Sequence, residues 1–205
     1  MELADLIAAK ERSVTDPLLL ASASPQRRQI LEQLGVPFEV RPADVQEAAA
    51  GDPETVARDN ALLKATVVAA LAPGRTVLGV DTLVTIDGEI FGKPPTPEAA
   101  AAMLLRLQGR EHAVLSGIAV VDGSPSGAPT VPRADVQRTL VRFTPLSTAQ
   151  IGAYVATGEW RGRAGSYAIQ GRGAALVDGI QGDYLNVVGL PVPALRRLLP
   201  GLLGV

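Results

Sequence analysis

Apolar positions along this chain fall into two patterns. In one, they form short runs rich in Val, Ile and Leu. In the other, they recur every three or four residues. The runs at 18–21, 38–41, 76–86, 89–91, 111–121, 134–143 and 174–180 predict strands. The longer spacing predicts helices over 25–34, 53 to about 71, 97–108, 147–156 and 191–199; in the second of these Val56, Leu63, Val67 and Ala70 recur at helical intervals. The punctuation agrees. Pro25 suits a first helical position, where its missing N–H costs nothing, and Pro53 opens the next helix. Gly35, Gly109 and the Pro73-Gly74 pair close helices. Asp87-Gly88 marks a two-residue hairpin turn.

Two stretches lack either pattern. Residues 1–15 have weak helical patterning and predict a loosely attached turn or short helix, so 1–16 reads as an N-terminal extension. Residues 122–132 are rich in Gly, Pro and Ser and predict a hairpin loop without chemistry. There is no repeat and no linker long enough to separate independent domains, so 1–205 reads as one domain. Strands alternating with helices, with hairpins among them, predict an α/β fold: a mixed twisted sheet flanked by helices.

Composition removes several function classes. At 205 residues and 47% hydrophobic, the chain can bury one sizeable core or two small lobes that share one. A formal charge of −2 with dispersed basic residues gives no nucleic-acid surface. Aromatics at 3% argue against base stacking on many rings. The chain has no cysteine, which rules out disulfides, thiolate catalysis and cysteine zinc sites. A single histidine, His112, rules out a histidine pair, and its place at a strand start favours a structural role. No apolar run approaches the roughly 20 residues needed to span a bilayer, and no basic segment followed by an apolar run opens the chain. A cytoplasmic protein without membrane or nucleic-acid partners is expected.

The densest candidate chemistry lies where the first strand meets the first helix. Ser22 and Ser24 precede Pro25, Gln26, Arg27 and Arg28, with Ser24 at the N-cap position. A helix N-terminus, hydroxyls and two forked cations suit a phosphate chain; an ordinary capped helix with solvated arginines also fits. Asp81 interrupts an apolar strand between Val80 and Leu83, with Thr82 beside it. A carboxylate there is costly unless solvated, paired or metal-bound, so it is a metal ligand or general base, or an acid paired with arginine. Lys93 sits in Gly-Lys-Pro-Pro, where the prolines stiffen the loop; it clamps a phosphate or is simply solvated. Glu47 and Lys64 each fit a surface position as well as a site. Gln170 lies in the glycine-rich 165–173 segment, where its amide could read a base edge or sit on a turn. Asp183 and Asn186 either reach the site or cap the last helix. Neither a P-loop nor a GxGxxG motif is present.

Six motifs in order resemble the Maf family of nucleoside triphosphate pyrophosphatases, from about residue 18 to 199. They are Leu-Ala-Ser-Ala-Ser-Pro-Gln-Arg-Arg at 20–28, Asp81-Thr82, Gly92-Lys93-Pro94, Leu-Gln-Gly-Arg-Glu-His at 107–112, Ala-Gly-Ser-Tyr-Ala-Ile-Gln-Gly at 164–171, and Gly-Asp-Tyr at 182–184 followed by Val-Gly-Leu-Pro at 188–191. The resemblance implies hydrolysis of a nucleoside triphosphate to monophosphate and pyrophosphate with magnesium or manganese. It makes Asp81 the proton acceptor and puts Ser22, Arg27, Glu47, Lys64 and Lys93 on phosphate- and metal-site positions, with Glu47 or Asp81 holding the metal. Ser24 joins the substrate-binding set. It further implies a homodimer of two-lobed α/β subunits with a central cleft, similar to inosine-triphosphate pyrophosphatases. The dTTP/UTP branch carries Arg, Thr and Gln at the positions of Gln26, Thr82 and Gln170, and the 7-methyl-GTP branch carries Trp, Gln and Glu. This chain matches the first branch at two of the three and departs at Gln26. A nucleotide-binding regulator of division without turnover, and a phosphatase using an aspartyl nucleophile, are the rival readings.

Overall fold

The computed structural model describes residues 16–123 and 131–203. The expected N-terminal turn at 1–15 and most of the 122–132 loop lie outside the described residues. The strands are β1 (Leu18–Leu20), β2 (Phe38–Val40), β3 (Thr76–Ile86), β4 (Glu89–Phe91), β5 (Glu111–Asp122), β6 (Arg133–Phe143) and β7 (Val177–Gln181). The helices are α1 (Pro25–Gln33), α2 (Pro53–Ala70), α3 (Pro97–Leu107), α4 (Thr148–Ala156), α5 (Tyr184–Val188) and α6 (Val192–Leu198). Among the described residues no helix is long and apolar enough to cross a membrane.

All seven strands join one mixed sheet in the order β2-β1-β3-β5-β6-β7, with β4 also on β3. β1 runs parallel to both β2 and β3, which requires crossover connections, and α1 and α2 supply them. The other pairings are antiparallel. β3 pairs with β5 from Thr76 to Thr85. Its opposite edge is shared: β1 takes Val77 and Leu78, and β4 takes Val84 to Ile86. Between them the sheet splits, and Asp81 and Thr82 sit in the gap.

The core divides at the same level. Alternation sends Leu78, Val80, Val84 and Ile86 to one face of β3 and Val77, Asp81 and Leu83 to the other. On the first face, Leu78 and Val80 join a cluster with Ile30, Leu31, Leu190 and Leu195, while Val84 and Ile86 join Leu104, Leu107, Phe143 and Trp160. On the second, Val77 packs with Ala61, Ala65 and Val68, and Leu83 with Val56 and Ala57. Thr82 and Asp81 therefore fall between two apolar clusters on their respective faces. Four clusters, two on each face, thus flank these two residues.

Helix α2 lies unusually close to the sheet. A Cβ on Gly79 would fall 2.2 Å from the Ala61 carbonyl oxygen, and one on Gly117 would fall 2.0 Å from that of Ala57. The helix answers with Ala57, Ala61 and Ala65, all fully buried. Small residues on both surfaces allow this approach, which brings polar side chains of α2 within reach of Asp81.

Two expectations near the C-terminus need correction. The strand predicted over 174–180 begins only at Val177, because Gly171–Leu176 forms a 3-10 turn. The Glu159 carboxylate accepts the Arg172 and Gly173 N–H groups, each at 3.1 Å, and so holds that turn out of the sheet. Helix α5 was not predicted: five residues are too short to show a period. Asp183 caps it, accepting from the Leu185 N–H at 2.9 Å, so Asp183 caps α5 rather than the last helix.

Candidate active site

A cleft of about 370 Å³ opens at the split in the sheet. The β1–α1 turn forms one wall with Ser22, Ser24, Gln26 and Arg27. Glu47, Lys64 and Thr82 line the base, and Lys93 enters from the loop after β4. Arg163, Ala164, Tyr167 and Ala168 close the opposite side. Asp81 lies just beneath this surface, reached through Lys64. Two expected residues stay away from it: Gln170 is exposed and off the cleft wall, and so is Arg28. Gln170 is the residue before the 3-10 turn, whose Glu159 anchor fixes the backbone without turning this amide toward the cleft.

The β1–α1 turn is held from inside. Ser24 occupies the N-cap of α1, but its side chain makes no capping bond. Its hydroxyl donates to the Gln26 amide oxygen at 3.2 Å, and its N–H donates to Ser22 Oγ at 3.3 Å. Arg27 is buried and shares out its guanidinium: Nη1 donates to Ser22 Oγ at 2.7 Å, Nε to the Gly189 carbonyl at 2.9 Å and Nη2 to Thr82 Oγ1 at 3.0 Å. Burial lowers the Arg27 pKa, and the Asp81 and Glu47 charges oppose that shift. Arg27 thus ties three segments together while projecting positive potential into the cleft. Thr82 Oγ1 also pairs with Ser116 Oγ at 2.9 Å.

The floor is a charge cluster. The Lys64 ammonium lies 2.7 Å from Asp81 Oδ1 and 2.9 Å from Glu47 Oε1. Asn60, one helical turn earlier on α2, donates to Asp81 Oδ2 at 3.0 Å. Burial alone would raise the Asp81 pKa. The Lys64 charge and hydrogen bond, the Asn60 hydrogen bond and the Arg27 charge outweigh it and hold the carboxyl below its usual range. Asp81 is therefore an anion in the fold, and Glu47 meets it across one ammonium.

Sequence reasoning passed over three contributors. Asn60 carried a signal: it is the polar residue between Val56 and Lys64 on the helix face that carries Ala57 and Ala61. Arg163 is half-buried in the cleft wall, with no hydrogen bond or ion pair from its side chain among the described residues; burial lowers its pKa, and Tyr154 and Glu159 oppose that. Tyr167 backs the cleft, and its hydroxyl meets His112 Nε2 at 2.9 Å. Asn186 is buried behind the site, donating to the Val114 carbonyl at 3.1 Å and to Thr139 Oγ1 at 3.0 Å; it is structural.

Comparison with known proteins gives a consistent answer. A family model described as Maf-like protein matches residues 17–202. A dTTP/UTP pyrophosphatase of Moorella thermoacetica is 50% identical over 184 residues, covering 89% of this chain and 93% of that protein. Its counterparts from Symbiobacterium thermophilum and Gloeobacter violaceus are each 48% identical; they cover 89% and 91% of this chain, and 92% and 96% of their own lengths. Among solved structures, a HAM1 protein from Coxiella burnetii gives a TM-score of 0.41 at 20% identity, covering 61% of this chain and 72% of that one.

Proposed function

The chain belongs to the Maf-like family, and from that premise we propose that it hydrolyses pyrimidine nucleoside triphosphates of the dTTP/UTP kind to monophosphate and pyrophosphate. The observation that carries the reading is the convergence of Ser22, Arg27, Lys64 and Lys93 around a cleft whose base holds Glu47, with Asp81 just beneath it across the Lys64 ammonium. Cleavage of the α–β bond leaves pyrophosphate, whose new negative charge needs preorganised donors and cations. Lys93 and Arg163 both line the cleft, on segments joined by the Gly165 N–H donating to the Gly92 carbonyl at 3.2 Å, and can take the phosphate chain together. The Ser22 and Ser24 hydroxyls supply donors at the β1–α1 turn. Asp81, kept ionised, would orient the attacking water and accept its proton.

The Glu47 and Asp81 carboxylates, which meet across the Lys64 ammonium, are the hard oxygen donors available to a cation here. With only two carboxylates to offer, the site would leave a cation to complete its shell with oxygens of the substrate phosphates. Glu47 and Asp81 would hold it, and magnesium or manganese suits these hard oxygen donors. When bound, it would neutralise phosphate charge. Gln26 offers an amide where the dTTP/UTP branch has a guanidinium. The base range is therefore proposed to be broader than that branch alone. A homodimer in the cytoplasm completes the proposal.

The deciding experiment incubates the protein with a nucleotide panel and magnesium or manganese and separates pyrophosphate from orthophosphate. Pyrophosphate from dTTP and UTP is expected. Orthophosphate alone refutes α–β cleavage, and binding without any product supports the regulator.

A further inference from the structure

The two carboxylates of the floor reach it by different routes. Asp81 is fixed within the ten-residue pairing of β3 with β5. Glu47 hangs from an irregular segment between β2 and α2. Among the described residues, the only hydrogen bonds to the backbone of 42–51 come from one side chain, Asn60. Its Oδ1 accepts the Ala48 N–H at 2.8 Å, and its Nδ2 donates to the Ala48 carbonyl at 3.0 Å. The second Nδ2 hydrogen goes to Asp81 Oδ2 at 3.0 Å. Both donors and the acceptor of this amide are thus in use, and the side chain is 3% exposed. Ala48 is the residue next to Glu47.

We propose that Asn60 is a positioning residue that couples Glu47 to Asp81, reading the peptide beside one carboxylate and the oxygen of the other with a single amide. The proposal rests on the pyrophosphatase reading for its catalytic consequence. Asn60 and Lys64 share the work across one helical turn. Lys64 sets the separation of the two carboxylates by charge, a force with little directional demand. Asn60 sets their orientation, because its three hydrogen bonds are directional. Asn60 does not line the cleft. Its loss should therefore spare the contacts that bind the phosphate chain and disturb the geometry of the reacting water.

The test compares Asn60→Ala with the wild type. This change matches the small residues already in this helix face and removes all three hydrogen bonds without adding a charge. Asn60→Asp, which keeps the acceptor for the Ala48 N–H but sets a carboxylate beside Asp81 Oδ2, makes the comparison if the first variant fails to fold. The expected results are a turnover number reduced about 10- to 100-fold, a KM for the nucleotide within about threefold, and Ala48 amide hydrogen exchange faster by about tenfold in Asn60→Ala, where the acceptor is lost. A merely structural role would also speed Ala48 exchange and lower the melting temperature, but would leave the turnover number per folded, active molecule unchanged. Unchanged exchange in Asn60→Ala, or a raised KM with turnover preserved, overturns the coupling. Absence of pyrophosphate release by the wild type overturns the pyrophosphatase reading instead, and Ala48 exchange in Asp81→Ala, faster if Asn60 couples the two and unchanged if it does not, still decides the coupling.

Discussion

His112 gives this protein an acid sensitivity that can be worked out from its surroundings. The ring is 2% exposed, packed edge-on against Phe143 and Tyr167. Nε2 pairs with the Tyr167 hydroxyl, while Nδ1 is buried without a hydrogen-bond partner. An uncharged ring can leave Nδ1 as a bare lone pair, but protonation would put a second N–H where nothing accepts it. Burial accordingly lowers the pKa from 6.5 to about 4. The unfolded chain therefore takes up this proton first, and stability falls as the pH drops through the interval between the two values. Linkage gives a loss of about 2 kcal/mol between pH 7.5 and 5, levelling at about 3 kcal/mol below pH 4. This is the only histidine in the chain. The carboxylates with lowered values, Asp52, Asp81 and Glu98, add their own losses only as acidity approaches the ordinary carboxylate range, below about pH 5. The assay is urea unfolding at about pH 7.5, 6 and 5, for the wild type and for His112→Gln, which keeps an amide for the Tyr167 hydroxyl. The wild-type midpoint should fall across the series while the variant's stays level. A wild-type loss under about 0.5 kcal/mol by pH 5, or an equal slope in both proteins, would refute the reasoning.

Three further outcomes are expected. Gly117→Ala drives a methyl into the Ala57 carbonyl of α2, which is backbone and cannot rotate away; a stability loss of about 1–3 kcal/mol in urea, with reduced turnover, should follow, and an unchanged midpoint would contradict the close approach. Asp81→Asn should cut pyrophosphate release by at least about 100-fold while circular dichroism shows the fold retained, because Lys64 keeps Glu47; near-normal release would move the base elsewhere. Arg163→Ala should raise the KM for the triphosphate by about tenfold, with Arg163→Lys recovering most of it, since a charge-assisted hydrogen bond is worth about 1.5–3 kcal/mol; an unmoved KM would remove Arg163 from the phosphate path.

Much of the architecture was legible from local physics. The long apolar strand carrying Asp81, the Pro-opened helices and the Asp87-Gly88 turn each follow from periodicity and turn chemistry within about ten residues, and each stands in the structure. The missed elements are those that local pattern does not encode. Helix α5 is shorter than two turns, and 171–176 coils because Glu159, distant in sequence, holds its amides. The candidate site divides in the same way. Its residue types announced themselves: a carboxylate amid Val and Leu, serines before a proline, a lysine between rigid turns. Their partners did not. That Arg27 donates to Thr82 and Gly189, or that Gln170 stays off the wall, depends on contacts between segments far apart in the chain. Sequence by itself determined the elements, the resemblance and the supply of charged groups, because these depend on short-range periodicity and composition. Tertiary structure alone decided that β3 shares one edge between β1 and β4, that glycines let α2 reach Asp81, and that Asn60 joins the two carboxylates, because distance and direction between remote side chains exist only once the sheet is assembled.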